Sequence, residues 1–480
     1  MHWRRRNYRL TMSTMASVDQ PWQGDQVSLV DAFRKGERSP AEELEATLRA
    51  IEASDLNAFS YLDPEAARAA ARTADVSLPF GGVPIGVKEL NRVAGWPDTE
   101  ASVPLKDRRA DQDSTMVARL RDAGGIITGL TTSSEFGGVN LTRTVLNGAT
   151  LNPWNTERTP GGSSGGSASA VAGGIVTAAT AGDGGGSIRI PAGFTGLVGL
   201  KATYGRIPKG PAAEIGNITA VSGCVSRSVR DTARWFDVCS GFDKGDPLSL
   251  PGTTNWEREL GTHTEALGRK RAAIVLDFGG AYVAPNVAEV VVEAAEDLLR
   301  ALGMKRVDIT VTLPSMGYAW SISGLLGIRA ALGDAWPACA DDLTPEMRFG
   351  LQWAEGKFDE RAAINLEARR VGVNVAMSRM FDDLDVVFTA TNPDVAFGSN
   401  GPLPTVFGGR EVGGWNNGRL TAPSNLYGNP AISIPAGSVG GLPVGLQAIA
   451  VHHREQLLLD IALMAQRRRP WPLVAPGSPL

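Results

Sequence analysis

Two segments rich in glycine and serine hold the residues of this sequence that could do chemistry. The first covers residues 159–167 (TPGGSSGGS) and the second covers residues 182–191 (GDGGGSIRIP). Consecutive glycines allow successive backbone N–H groups to turn toward one point, which makes a nest for a phosphate or for the oxyanion of acyl transfer. The two segments therefore indicate either phosphate binding or acyl transfer.

Neither segment completes a familiar phosphate-binding motif. A P-loop ends in Gly-Lys followed by Ser or Thr, and neither segment contains a lysine. The dinucleotide pattern G-x-G-x-x-G, counted from Gly182, fails at Ser187. A flexible linker is the remaining alternative, but a linker would stay polar, whereas Ser187 leads straight into Ile188. These observations favour acyl transfer over phosphate binding and over a flexible linker.

Two common serine mechanisms fit poorly. Residues 161–165 match the G-x-S-x-G nucleophile elbow, but that motif needs a strand directly before it, and residues 151–160 are polar with two prolines. A Ser-x-x-Lys pair is absent from the sequence, since no lysine has a serine three residues before it.

Lys88 is the candidate base. It ends the apolar run at residues 83–87 (VPIGV), which predicts a buried strand. Burial lowers the pKa of an ammonium group, and a neutral lysine is a competent general base. The alternative is a lysine at a strand end that extends its ammonium group into water.

Three blocks together resemble the amidase signature family of serine hydrolases, and in particular its aryl amidase and carbamate hydrolase members. They are GVPIGVKEL around Lys88, PGGSSGGSASAVAGG around Ser163, which lies 75 residues later, and GDGGGSIRIPAGFTGLVGLKATYGR around Ser187, which lies 24 residues after that. A further match, TAPSNLYGNPAISIP and GLPVGLQ, lies between residues 421 and 447.

The resemblance implies a Ser-cisSer-Lys triad. Ser187 would be the nucleophile, Ser163 would follow a cis peptide after Gly162 and relay the proton, and Lys88 would be the base. Backbone N–H groups near the nucleophile would hold the oxyanion; the predicted residues are Gly184, Gly185 and Gly186. Two further residues would form a supporting ion pair that fixes the loop; they are Asp183 and Arg189.

Short apolar runs alternate with helical segments along the chain. Residues 27–54 predict a helical hairpin and residues 64–74 a further helix. The predicted strands are residues 83–87, 125–130, 175–180, 272–276, 386–389 and 431–435. This pattern predicts an α/β fold, and the resemblance specifies the amidase signature fold, a central mixed, mostly parallel β-sheet sandwiched by helices.

Composition excludes several classes of function. The 480 residues carry a formal net charge of −4, which provides no positive field for nucleic acid or for anionic lipid. No apolar run approaches the length of a membrane span. Three cysteines and four histidines in no ligand pattern predict no metal site and no disulfide framework. We expect a cytoplasmic enzyme with no cofactor.

Residues 1–20 are predicted to be a disordered tail and residues 21–480 a single amidase domain. Its core is expected at about 81–206 and 421–450, with a variable substrate-pocket region at about 242–381. Aromatic and aliphatic residues of that region predict apolar or aryl substrates, unless they are simply core; they are Tyr318, Trp320, Leu325, Leu326, Trp336 and Trp353.

The expected activity is hydrolysis of small amides, with side activity on esters and carbamates (urethanes), by a monomer or homodimer. Two alternatives stay open. One is the glutamine-hydrolysing component of a tRNA amidotransferase, its A subunit, which needs protein partners. The other is a catalytically silent protein that only binds a small molecule, which the presence of all three catalytic positions disfavours.

Overall fold

A computed structural model describes residues 19–213, 218–252, 255–315, 319–357 and 359–478. Most of the predicted N-terminal tail lies outside these ranges. No helix among the described residues is long and apolar enough to cross a membrane.

Eleven strands form one twisted sheet within the described residues, in the order β1-β3-β2-β6-β8-β7-β14-β15-β11-β9-β10, and four short strands form two separate pairs. The strands are β1 Phe59–Leu62, β2 Pro84–Lys88, β3 Ile126–Thr131, β4 Arg143–Thr144, β5 Gly148–Ala149, β6 Ala178–Asp183, β7 Val198–Lys201, β8 Val221–Ser226, β9 Arg271–Ile274, β10 Lys305–Arg306, β11 Val386–Ala390, β12 Val406–Phe407, β13 Arg410–Glu411, β14 Ala431–Val439 and β15 Leu442–Ala450. Each of the six predicted strands overlaps one of these.

Helices cover both faces of the sheet. They are α1 Gln26–Lys35, α2 Pro40–Ala53, α3 Pro64–Arg72, α4 Thr115–Asp122, α5 Gly165–Ala172, α6 Arg189–Thr195, α7 Val229–Cys239, α8 Trp256–Glu259, α9 Thr264–Leu267, α10 Pro285–Leu302, α11 Ala319–Leu332, α12 Pro345–Ala354, α13 Glu360–Asp383, α14 Ala422–Tyr427 and α15 Glu455–Arg468. The predicted α/β fold, a mixed sheet between helices, is confirmed.

Local sequence accounts for the two helices of the predicted hairpin. At the start of α2 the Ser39 side chain accepts a hydrogen bond from the backbone N–H of Glu42, and the Glu42 carboxylate accepts one from the N–H of Ser39, which is a capping box. Pro40 fills the first helical position, where no N–H is needed. The two helices α1 and α2 therefore form where the sequence predicts them, but they do not pack closely against each other as a hairpin.

Two parallel pairings bring the candidate residues to one edge of the sheet. Strand β2 pairs in parallel with β3 and with β6, so the carboxyl ends of all three lie on the same side. Lys88 is the last residue of β2, and Asp183 is the last residue of β6. The second glycine-serine segment leaves β6 at this edge, beside Lys88.

Antiparallel pairing is extensive elsewhere in the sheet. Strands β14 and β15 form a hairpin, and β15 pairs antiparallel with β11. Strand β8 pairs antiparallel with both β6 and β7. The alternation of strands with helices did not reveal these pairs, because β7, β8 and β15 lie outside the six predicted runs.

Three of the six residues of the predicted pocket region, Leu325, Trp336 and Trp353, pack together in a small helical core, and Leu326 lies outside it. Leu325 and Trp336 are buried in a cluster formed by α11, α12 and their connection, against which Trp353 also packs. Burial, the competing explanation for these side chains, is therefore the better one. Tyr318 and the side chain of Trp320 lie outside the described residues.

Candidate active site

Lys88 is buried and directed at two serines. Its Nζ atom donates hydrogen bonds to Ser163 Oγ at 2.7 Å and to Ser164 Oγ at 3.0 Å. Burial lowers the pKa of Lys88 from its ordinary 10.5 to about 7, although three carboxylates partly oppose the shift; they belong to Asp183, Glu100 and Glu89. About half of the Lys88 side chains are therefore neutral near pH 7 and able to accept a proton.

The loop before α5 places Ser163 against the lysine. The Gly162–Ser163 peptide bond is cis, as the family resemblance implies. A Cβ atom at residue 162 would lie 2.8 Å from both the Leu141 nitrogen and the Val139 oxygen, so only glycine fits there. The close packing of this loop fixes the position of the Ser163 hydroxyl.

Ser187 lies half-buried between β6 and α6. Its segment adjoins the first one, because the backbone N–H of Gly182 donates to Ser164 Oγ at 3.3 Å. Within the described residues, Ser187 Oγ has no hydrogen bond to Ser163 or to Lys88. The structure thus joins Lys88 to Ser163 directly and brings Ser187 to the same edge without a direct bond.

The backbone around Ser187 differs in one detail from the prediction. The N–H of Gly186 donates to Asp183 Oδ1 at 2.7 Å, so it supports the loop and does not face open space. The N–H groups of Gly184, Gly185 and Ser187 have no hydrogen-bond acceptor among the described residues. Three N–H groups at or near Ser187 are therefore available to an anion, and that of Gly186 is not.

A buried ion pair closes this loop. Arg189 Nε lies 2.9 Å from Asp183 Oδ2, and both side chains have no exposed surface. Burial alone would raise the pKa of Asp183, but the neighbouring Arg189 guanidinium outweighs it, and the pKa is about 2. Asp183 is therefore ionised at neutral pH. The predicted ion pair between Asp183 and Arg189 is present.

Three residues from the C-terminal part of the chain complete the loop's support. Arg189 Nη1 donates to Gln447 Oε1 at 2.6 Å, and Arg189 Nη2 donates to Asn425 Oδ1 at 2.6 Å. Thr421 Oγ1 donates to the Gly185 carbonyl at 2.6 Å. These residues lie in the segment from 421 to 447 that resembles the family, but the sequence alone suggested no role for them.

Ser164 is a further contact that sequence reasoning missed. Its hydroxyl receives the second hydrogen bond of Lys88 and contacts the backbone of Gly182. Thr180 Oγ1 accepts a bond from the backbone N–H of Lys88 at 2.7 Å. The double serine of the motif was the available signal, since either hydroxyl could meet the lysine.

None of the histidines in the described part of the chain takes part in this cluster. His452 Nε2 contacts the Tyr427 carbonyl at 2.8 Å, and His263 lies 3.4 Å from Asp460. Proton transfer between Lys88 and a serine hydroxyl is therefore the acid-base chemistry that this arrangement can do.

Comparison with known families and curated proteins gives consistent matches. A family model described as amidase matches residues 42–459. The chain is 33% identical to the A subunit of glutamyl-tRNA(Gln) amidotransferase from Salinispora arenicola, over 88% of this chain and 92% of that protein. It is also 33% identical to the protein of the same name from Methanospirillum hungatei, over 82% of this chain and 94% of that protein.

Solved structures show the same fold. A bacterial aryl acylamidase of the amidase signature enzymes matches with a TM-score of 0.84 and 26% identity, over 94% of this chain and 97% of that one. The 6-aminohexanoate cyclic dimer hydrolase, complexed with substrate, matches with a TM-score of 0.83 and 28% identity, over 97% of this chain and all of that one. The A subunit of glutamyl-tRNA(Gln) amidotransferase from Thermotoga maritima matches with a TM-score of 0.71 and 25% identity, over 92% of this chain and 94% of that one.

Proposed function

Because this chain belongs to the amidase family, we propose that it hydrolyses the carbon–nitrogen bond of small amides through an acyl-enzyme formed on Ser187. The observation that carries the proposal is the 2.7 Å hydrogen bond between Lys88 Nζ and Ser163 Oγ in a buried setting. Lys88 is hydrogen-bonded to serine hydroxyls and forms no salt bridge with a carboxylate of the described residues. A buried lysine in this setting is suited to proton transfer and not to a structural ion pair.

The proposed first half-reaction begins with neutral Lys88. Ser187 Oγ attacks the amide carbonyl carbon and gives its proton to Ser163, which passes its own proton to Lys88 Nζ. The tetrahedral intermediate then collapses as the C–N bond breaks, and the proton held on Lys88 returns through Ser163 to the departing amine nitrogen. Water repeats the sequence on the ester and releases the carboxylic acid.

The N–H groups of Gly184, Gly185 and Ser187 are proposed to hold the oxyanion of the intermediate. Each such donor contributes about 3 to 4 kcal/mol in comparable hydrolases. Asp183 is proposed to position this loop, because its carboxylate accepts from Gly186 N–H and binds Arg189. Asp183 and Arg189 thus act on the backbone and not on the substrate.

Aryl or apolar amides are the proposed substrates, with esters and carbamates (urethanes) as side substrates. Amides, esters and carbamates all react through the same tetrahedral geometry. An oxyanion site therefore distinguishes poorly among these three classes of carbonyl. The fold match to an aryl acylamidase and to 6-aminohexanoate cyclic dimer hydrolase supports hydrolysis of small molecules.

A glutamine-hydrolysing component of an amidotransferase is the second candidate. It is favoured by curated relatives of that name at 33% identity over most of the chain. The structural match to such a protein, with a TM-score of 0.71, is lower than the matches to the stand-alone hydrolases. We therefore place it second.

A four-substrate panel separates the two candidates. The isolated chain is assayed at equal concentrations of a nitroanilide, a nitrophenyl ester, an aryl carbamate and glutamine. We expect turnover of the first three and little of glutamine. Best activity on glutamine, or activity only after a partner protein is added, would favour the amidotransferase component.

Variants of the triad test the mechanism in the same assay. Ser187→Ala should abolish turnover, Lys88→Ala should nearly abolish it, and Ser163→Ala should lower it by orders of magnitude, with unchanged circular dichroism. Ser438→Ala, at an exposed position on β14, is the matched control and should retain full activity. Added hydroxylamine should convert the acyl-enzyme to a hydroxamate. If no hydroxamate forms, water attacks the substrate directly and no acyl-enzyme is made.

A further inference from the structure

An apolar cavity lies beside the candidate active site. Its volume is about 140 Å³. Its walls are mostly aromatic and aliphatic, and the main contributors are Phe194, Val395, Phe397, Val406 and Phe407. A space of this size holds an aryl ring or a short alkyl chain.

The cavity adjoins both glycine loops. Phe194 lies on α6 against the first loop, because a Cβ atom at Gly161 would lie 3.0 Å from the Phe194 ring. Asn140 on one wall packs against the first loop, because a Cβ atom at Gly162 would lie 2.9 Å from the Asn140 carbonyl carbon. A substrate whose scissile carbonyl sits at Ser187 could therefore extend one of its groups into this space.

The opposite wall reaches the oxyanion loop. Asn417 lines the cavity, and the next residue, Gly418, lies close to the Gly185 carbonyl, since a Cβ atom there would be 3.9 Å from that oxygen. Asn140 and Asn417 therefore lie where the cavity meets the two glycine-serine segments.

Arg158 is the unexplained charge in this cavity. Its side chain lines the space, its Nε atom is buried, and no group among the described residues accepts a hydrogen bond from that nitrogen. No carboxylate of the described residues forms an ion pair with its guanidinium, in contrast to nearby Arg143, which pairs with Glu346 at 2.9 Å. A buried donor without an acceptor is costly, so a native structure that keeps one calls for an explanation.

The other charged group of the cavity is already engaged. The Asp394 carboxylate accepts backbone N–H bonds from Val395 and from Gly408, both at 2.8 Å, one on each oxygen. It therefore holds its own loop and does not pair with Arg158, whose two Nη nitrogens donate no hydrogen bond to any of the described residues.

We propose that Arg158 is a specificity residue that binds a carboxylate carried by the apolar part of the substrate. The proposal rests on the proposed amide hydrolysis and narrows its substrates to amides with an aryl or alkyl group ending in a carboxylate. Arg158 lies five residues before Ser163, so the Cα atoms of these two residues are at most about 18 Å apart. A planar guanidinium suits a carboxylate because it can donate two parallel hydrogen bonds.

Two matched substrate pairs test the proposal and identify the side of the amide that enters the cavity. The acyl-side pair is the mono-4-nitroanilide of adipic acid and the 4-nitroanilide of hexanoic acid. The leaving-group pair is N-hexanoyl-4-aminobenzoate and N-hexanoyl-4-aminobenzamide. In one of the pairs we expect kcat/KM to be about 10-fold or more higher for the carboxylate, mainly through a lower KM.

Variants at position 158 show whether the guanidinium causes that preference. Arg158→Gln should remove the preference and leave kcat/KM for the neutral partner within about twofold, and Arg158→Lys should restore part of it. The matched control is Arg300→Gln, an exposed arginine on α10, which should keep the full preference. Equal loss on both members of a pair would indicate a structural role for Arg158 and would overturn the proposal, as would no preference in either pair.

A binding measurement separates this proposal from the proposed function. The Ser187→Ala variant is titrated calorimetrically with both members of each pair, which reports affinity without turnover. Tighter binding of the carboxylate that Arg158→Gln abolishes supports the proposal even if no substrate is hydrolysed, in which case only the proposed function fails. Equal or undetectable binding of both members overturns the role of Arg158, whatever the catalytic result.

Discussion

The pH dependence of turnover should follow the ionisation of Lys88. An unperturbed lysine, with a pKa near 10.5, would be neutral in about one molecule in 3,000 at pH 7. Burial brings the pKa of Lys88 to about 7, which makes about half of the molecules competent at that pH. The burial of the Lys88 side chain therefore increases the fraction of molecules with a neutral, proton-accepting lysine about a thousandfold at neutral pH.

The sign of the pH effect follows from the role of the base. Below pH 7 Lys88 is protonated and cannot accept the proton of Ser163, so kcat/KM should fall about tenfold per pH unit. At pH 5 it should be about 100-fold below its plateau, and above pH 8 it should be flat. The assay is initial-rate hydrolysis of a nitroanilide from pH 5 to 10, with folding checked by circular dichroism at each pH.

A carboxylate variant tests the cause of the titration. Glu100 raises the pKa of Lys88 by its negative charge, so Glu100→Gln should move the acid limb of the profile to lower pH. Glu411→Gln, an exposed carboxylate on β13, should leave the limb in place. A wild-type profile that continues to rise above pH 9 would refute the lowered pKa, and a profile without an acid limb would refute Lys88 as the base.

Four further outcomes are expected. Asp183→Asn should lower the free energy of unfolding by about 3 to 5 kcal/mol in urea titrations, because it leaves the buried charge of Arg189 without its counterion. Gly162→Ala should abolish turnover and lower the melting temperature, whereas Gly324→Ala, with no atom within 4 Å of its Cβ position, should do neither. Ser164→Ala should lower kcat about 5- to 10-fold, because it removes one hydrogen bond from Lys88, and wild-type kcat would contradict this. Activity should survive dialysis against EDTA, because a serine-lysine relay needs no metal-bound water, and loss that Zn²⁺ restores would refute the relay.

The sequence predicts the parts of this molecule that depend on neighbours in the chain. The capping box at Ser39 and the burial of Lys88 at a strand end follow from local pattern. The need for glycine at 162 appears as a motif, although its physical reason, contact with Val139 and Leu141, becomes visible only in the fold. The motif therefore predicts the site but not the packing that requires glycine at residue 162.

Contacts between distant segments could not be predicted in the same way. Arg189 binds Asn425 and Gln447, which lie 236 and 258 residues further along the chain. No periodicity or spacing connects such positions without the fold that packs α6, which carries Arg189, against β15. The hydrogen bond from Gly186 N–H to Asp183 could not be predicted either. The residue types of a glycine-rich loop do not determine the direction in which each backbone N–H points.

The hydrogen bonds of Arg189 form late in synthesis, because most of their acceptors lie far along the chain. The loop at residues 182–191 and its arginine leave the ribosome more than 200 residues before Thr421, Asn425 and Gln447 do. Until those residues emerge, the guanidinium has only Asp183 as a partner, and Thr421 cannot hold the Gly185 carbonyl. A nascent chain that already contains Lys88, Ser163 and Ser187 therefore lacks these supports of the loop. Under the proposed mechanism, a chain that ends before residue 447 has all three residues but lacks the bond between Arg189 and Gln447 that supports the loop.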